Sequence, residues 1–185
     1  MASRMSLGTG DDCVDTGLVT KGVPTEPHRV IERVEFGVIS DTHGLLRPEA
    51  VKALEGVDMI IHAGDIGKPE ILEALRAIAP VVAVRGNNDT GEWALTLPET
   101  EVVEVGRIAL YVLHDVHALD LDPAAAGFDA VISGHSHQPA VARRHGVLFV
   151  NPGSAGPRRF KLPVSLARLS IRGEALDARL VDLPV

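Results

Sequence analysis

Asp41-Thr-His43, Gly64-Asp65, Gly86-Asn87, His114 and Gly134-His135-Ser-His137 occur in that order along the chain. They supply seven side chains able to hold a divalent cation: Asp41, His43, Asp65, Asn87, His114, His135 and His137. Carboxylate, imidazole and amide donors without a thiolate suit hard or borderline ions such as Mn²⁺, Fe²⁺ or Zn²⁺, whereas structural zinc sites usually carry cysteine. Seven donors are enough for two ions. The reading is therefore a catalytic dinuclear centre. Taken singly, Asp41, Asp65 and Asn87 would read as ordinary turn residues, because Asp and Asn favour turns and caps without any ligand. The order and the placement of the clusters give them their meaning.

Each cluster follows an apolar run. Val34-Glu-Phe-Gly-Val-Ile-Ser40 reads as a strand ending at Asp41, and Val57-Asp-Met-Ile-Ile-His62 as one ending before Gly64-Asp65. Val81–Val84 leads into Gly86-Asn87, Ile108–Leu113 into His114, and Ala130–Ile132 into Gly134-His135. In open α/β sheets, ligands bind outside the carboxyl ends of strands, where loops from separate strands meet. Glycine at 64, 86 and 134 suits a close approach of backbone to a metal, since it has no Cβ. Pro48–Leu54 and Pro69–Ile78 each begin with proline at a plausible first helical position, and Ile71, Leu72, Leu75 and Ile78 recur at helical spacing. Val102, Val103 and Val105 indicate another strand. Hairpins are expected around His145-Gly146 and Arg172-Gly173. The expected fold is α/β (α+β): two mixed β-sheets flanked by helices in a four-layer αββα sandwich.

With D-x-H, GD, GN, H and GH-x-H in order, the chain resembles the calcineurin-like metallophosphoesterases from about Val34 to the Pro184 region. Asn151-Pro-Gly-Ser154 followed by Pro157-Arg158 resembles the small single-domain YfcE-like branch. The resemblance implies that Asp41, His43, Asp65 and His137 hold one metal, and that Asp65, Asn87, His114 and His135 hold the other. Asp65 then bridges, and Asp65, Asn87 and His114 serve catalysis. It further implies a metal-dependent phosphoric ester hydrolase, most plausibly a phosphodiesterase, acting by in-line attack of a metal-bridging hydroxide with Mn²⁺ as the leading ion and Fe²⁺, Zn²⁺ or Ni²⁺ as others. The physical logic agrees, because two ions roughly 3.5–4 Å apart repel one another and a shared carboxylate reduces that repulsion. The alternative is a non-catalytic interaction module of the same fold, similar to the retromer scaffold subunit. Loss of ligands would favour it, and here all seven are present.

Two positions depart from the family pattern. Asn88 stands where many members carry a histidine thought to protonate the leaving group, and an amide cannot act as that acid. His114-Asp115-Val116-His117 stands where the branch often shows His-Gly-His, which makes Asp115 a capping acid or an added carboxylate at the centre. For substrate binding, Arg158 and Asn88 are the candidates, since guanidinium groups suit a phosphoryl oxyanion; Arg159 and Ser154 rank below Arg158. Arg85 is expected to pair with a carboxylate or to reach substrate, and Trp93 to cap the loop from Thr90 to Leu97. His28, His62, His117 and His145 fall outside the motifs and read as tail, strand-end, loop or turn residues, with His62 close enough to Asp65 to tune it.

The chain has 185 residues, 45% of them hydrophobic, which fits one globular domain over 30–185. Residues 1–29 lack periodic apolar spacing and read as an N-terminal extension. A net charge of −7 and 3% aromatic content argue against nucleic-acid binding, which needs basic contacts to phosphates and stacking surfaces. The substrate is then a small phosphodiester or phosphoester. The lone Cys13 fits a reducing compartment, hence the cytoplasm, and no apolar run reaches the roughly 18–20 residues of a membrane span. Assembly into a homo-oligomer is left open by the sequence.

Overall fold

The computed structural model describes residues 33–185. The expected extension, residues 1–29, with Cys13 and His28, lies outside the described residues. One sheet contains β1 (Val34–Ile39), β2 (Met59–His62), β3 (Val81–Ala83), β9 (Ser165–Arg172) and β10 (Ala175–Asp182), in the order β10-β9-β1-β2-β3. The other contains β4 (Thr100–Val105), β5 (Ile108–Leu113), β6 (Ala130–Ile132), β7 (Ala140–Arg144) and β8 (Val147–Asn151), in the order β4-β5-β6-β8-β7. Both sheets are mixed: β1, β2 and β3 run parallel, as do β5, β6 and β8, while the hairpins β4–β5, β7–β8 and β9–β10 are antiparallel. The last two turn at His145-Gly146 and Arg172-Gly173, as their sequences predict.

Strand periodicity explains how the layers pack. Phe36 and Val38 of β1 point into the space between the sheets, where they meet Leu110 and Val112 of β5 and Leu169 and Ile171 of β9. Ile39 points the other way, with Ile60 and Leu166, against Leu54, Leu72 and Leu75. Helices α1 (Pro48–Ala53) and α2 (Pro69–Arg76) supply that second surface. Each starts on a proline, whose missing N–H costs nothing in the first turn, and each places an acid near its start and a base near its end, in keeping with the helix dipole. Gly37 lets α1 approach, since a Cβ there would run into the Leu54 side chain.

The helices therefore flank the first sheet. The outer face of the second sheet carries Leu113, Val131 and Val147, packed with Tyr111, Leu119 and Phe149, and the 3₁₀ turn Val116–Ala118 follows β5 there. That layer stays thin for a local reason. Asp122 caps a single turn by accepting from the N–H groups of Ala124 and Ala125, and Gly127, at φ 82°, ends it. There is no room to wind a longer helix. Trp93 is packed against the cluster beneath the helices, so it anchors its loop to the core. Among the described residues, no helix is long and apolar enough to cross a membrane.

Candidate metal centre

The parallel strands end side by side, and their loops are laced together by backbone bonds. Asp41 N–H donates to Gly64 O at 3.0 Å, His43 N–H to Asp65 O at 2.9 Å, and Gly134 N–H to His114 O at 2.9 Å. These bonds hold an unusual backbone. Asp41, His43, Asp65, His135 and His137 adopt φ of 54°, 45°, 55°, 64° and 57°, a left-handed region that non-glycine residues rarely occupy. Such strain persists only where the surroundings over-determine it, and it concentrates at functional sites. Five of the seven candidate ligands share it.

A buried prop underlies the first loop. The Thr42 hydroxyl donates its one proton to Ile66 O at 3.0 Å, so His62, whose Nε2 lies 2.9 Å away, is the donor to Thr42. The His62 ring is fully buried, and burial pushes its pKa down to about 3, so it stays neutral. Nothing in the sequence singles out this pair, because a strand-end histidine and a loop threonine look alike whether or not they touch.

The candidate ligand atoms converge from all five loops. Asp41 Oδ1 lies 3.3 Å from His137 Nε2 and 3.9 Å from His43 Nε2, and Asp65 Oδ2 lies 3.9 Å from His43 Nε2. On the far side, Asp65 Oδ1 is 3.4 Å from His114 Nε2. Asn87 Oδ1 is 3.1 Å from His114 Nε2 and 3.0 Å from His135 Nδ1. Asp41, His43 and His137 form one group of potential ligands, and Asp41, Asp65 and His114 another. Ser40 Oγ and His135 N–H both bond Asp41 Oδ2, leaving Oδ1 buried without a partner; His43 Nε2 and His137 Nδ1 are likewise unpartnered. Asp41 Oδ1 and His43 Nε2, buried 3.9 Å apart and each without a partner, are the chemistry of a cation site, since buried polar groups otherwise find partners. His114 is oriented for the same role, its Nδ1–H facing Ala63 O at 2.7 Å and its Nε2 turned to the centre.

Electrostatics prepare Asp41, Asp65, His43 and His137 in the right forms. Burial alone would raise Asp65, yet bonds from His114 and Asn88 outweigh it and hold the carboxylate well below the usual range. Asp41 is pushed up to about 6 by burial, with the Ser40 bond opposing. It is therefore mostly ionised at neutral pH. Burial lowers His43 and, with the neighbouring His43 ring and the Arg159 charge, takes His137 down to about 4. Both are neutral at pH 7, as ligands must be. Burial works against the charged form of His114, but the Asp65 carboxylate raises it overall.

The glycines fulfil their expected purpose. A Cβ at Gly86 would run into the backbone and carboxylate of Asp65, and one at Gly134 would run into Ser40 Oγ and lie 2.7 Å from Asp41 Oδ2. The two residues expected to bind substrate have protein partners in the structure. Asn88 is exposed, but its groups are engaged by Asp65: its backbone N–H donates to Asp65 Oδ1 at 2.8 Å and its side-chain amide to Asp65 Oδ2, so it holds the carboxylate. Arg158 donates to Val185 O at 2.7 Å. Its neighbour Arg159 is the one whose charge acts on His43 and His137. Adjacent residues in a loop point differently, and spacing alone does not choose between them. Ser154, also weighed for phosphate, is buried with its hydroxyl on Asp41 O at 2.9 Å, where it braces the loop. Arg85 pairs with Glu99, and His117 is exposed on its 3₁₀ turn. A cleft of about 670 Å³ opens beside Asn87, His114 and His135.

Comparison with known proteins bears on the same segments. The family model for the calcineurin-like phosphoesterase superfamily domain matches residues 34–174. A probable metallophosphoesterase of Methanocaldococcus jannaschii is 39% identical over 161 residues, covering 80% of this chain and 81% of that protein. A phosphodiesterase of the same organism is 30% identical over 139 residues, covering 65% of this chain and 83% of that protein. Among solved structures, Vacuolar Protein Sorting 29 from Cryptosporidium parvum superposes with a TM-score of 0.66 at 19% identity, covering 82% of this chain and 98% of that one, which is a likeness of fold. With the match spanning every strand-end cluster of the centre, the chain belongs to the calcineurin-like phosphoesterase superfamily.

Proposed function

We propose that this protein is a phosphodiesterase that uses two divalent metal ions. Asp41, His43, Asp65 and His137 would hold one ion and Asp65, Asn87, His114 and His135 the other, with Asp65 shared and Mn²⁺ the leading choice. The observation that carries this is the convergence of the unpartnered atoms Asp41 Oδ1 and His43 Nε2 with His137 Nε2, 3.3 Å from Asp41 Oδ1, at a centre whose backbone is strained at five ligand positions. When bound, such ions acidify water and neutralise charge on phosphoryl oxygens.

The chain's own residues have separable tasks. Asn88 donates to both carboxylate oxygens of Asp65 and so favours its ionised form, which a shared ligand requires. The positive charge of Arg159 acts on His43 and His137 and would also attract a phosphoryl group held at those ligands. Asn88 has no proton to transfer and is engaged by Asp65, so departure of the alcohol depends on that alcohol's own acidity. A non-catalytic scaffold has the support of fold likeness alone, and the complete ligand set argues against it.

The test is a metal-analysed preparation assayed on bis(p-nitrophenyl) phosphate with Mn²⁺. Up to two ions per chain and turnover are expected. Asp65→Asn should lose metal and activity together, and normal turnover in that variant would end the dinuclear reading.

A further inference from the structure

The cleft beside Asn87, His114 and His135 has an uneven charge. At about 670 Å³ it can take a small organic group. Its lining includes Asp89, Glu99, Asp115 and Asp120 against one cation, Arg85. Two of those acids are already used. Asp89 accepts from the backbone N–H groups of Gly67 and Gly86, and Glu99 pairs with Arg85. Asp115 Oδ1 accepts from His117 N–H, while its Oδ2 lies 3.8 Å from His135 Nε2. Asp120 is exposed, and no hydrogen bond to its carboxylate occurs among the described residues. Between these carboxylates the wall is formed by Tyr111, whose ring packs on Phe128 at 5.0 Å, and by Leu113.

An aromatic ring, an apolar side chain and carboxylates in excess of cations, Asp120 among them without a hydrogen-bond partner among the described residues, are the chemistry that recognises an ammonium group, whose methyl or methylene shell packs on the ring while its charge is attracted to the acids. The same wall repels a polyanion. Resting on the phosphodiesterase reading above, we propose that the substrate is a phosphodiester with an ammonium alcohol on one arm, that arm lying in the cleft against Tyr111, Asp115 and Asp120. The phosphate then sits at the candidate metal ligands that form the cleft's inner side.

Two measurements test this, and they fail independently. The first compares kcat/KM for p-nitrophenyl phosphocholine with that for its uncharged isostere, p-nitrophenyl 3,3-dimethylbutyl phosphate. Two partly exposed carboxylates facing one charge support a preference of about tenfold for the cation, expressed in KM and reduced by raised salt. In Asp120→Asn the preference should fall by about threefold, and in Asp115→Asn/Asp120→Asn it should approach unity. Asparagine at 115 still caps the 3₁₀ turn, so folding is not at issue.

The second measurement needs no turnover. The chain has one tyrosine, so the ring resonances of selectively labelled protein report on Tyr111 alone. Choline should shift them saturably, 3,3-dimethylbutanol should not, and the double variant should lose the response. A preference near unity with no Tyr111 response to choline, in protein that hydrolyses bis(p-nitrophenyl) phosphate, overturns the ammonium proposal and leaves the hydrolase standing. A choline response at Tyr111 without hydrolysis of any diester supports the cleft's ligand class and defeats the hydrolase instead.

Discussion

Acid should destabilise the metal-free protein in part through His62, and replacing that one residue should remove a measurable share of the effect. The ring is fully buried, its Nε2 donates to Thr42, and its Nδ1 has no partner, so protonation would place a charge where nothing receives it. Burial takes its pKa from 6.5 to about 3. Between those values the unfolded chain binds the proton and the folded chain does not. The stability tied to neutral His62 is therefore complete above the unfolded pKa and is lost as pH falls from about 6.5 toward 3. At pH 5 the loss spans about 1.5 units at about 1.4 kcal/mol per unit, or about 2 kcal/mol. His43 and His137 act in the same sense, whereas Asp41, raised to about 6, acts in the opposite one, because its folded form takes up a proton more readily than the unfolded chain does. His62→Gln separates the contribution, since an amide can still donate to Thr42 but does not titrate. Urea unfolding of chelator-treated protein at pH 7 and pH 5 should show the wild type losing about 2 kcal/mol more than the variant, or about 4–8 °C in thermal midpoint. Equal losses would refute the argument that His62 is held neutral by burial.

Other expectations follow from the residues around the centre. Asn88→Ala removes one of the two bonds from Asn88 that steady Asp65, and metal affinity measured by calorimetry should drop by about 10–100-fold; an unchanged affinity would show that the backbone bond suffices. Arg159→Ala should raise KM for phosphodiesters by about tenfold, the scale of a charge-assisted contact, while Arg158→Ala, which loses a bond to Val185 O, should stay close to wild type; the reverse ranking would restore Arg158 as the substrate arginine. Gly134→Ala should abolish metal binding while circular dichroism keeps its strand signal, because the new methyl displaces Ser40 and Asp41 locally and leaves the sheets intact.

Much of the centre was legible in the linear order of residues because metal ligation has strict requirements of residue type, and because each cluster follows directly on an apolar strand. Asp41, Asp65, Asn87, His114 and His135 each needed only a short loop to reach a shared edge. The alternation of Phe36 and Val38 with Ile39 similarly announced a strand buried on both faces. Proline at 48 and 69 marked both helix starts, and His145-Gly146 and Arg172-Gly173 marked two turns, since these signals are local and depend on backbone chemistry alone.

What the tertiary structure decided concerns direction and partnership. Whether the charge of Arg158 or of Arg159 acts on the histidines depends on how the loop after Ser154 is stitched to Ser40 and Asp41, through contacts between residues more than a hundred positions apart. Asn88 looked like a substrate residue because its place in the motif is a catalytic one, and only the fold shows its amide on Asp65. His62 and Thr42, the prop beneath the first loop, carry no motif at all. Residue type and order determine which atoms can bind a metal; long-range packing determines which of them are left without any other partner.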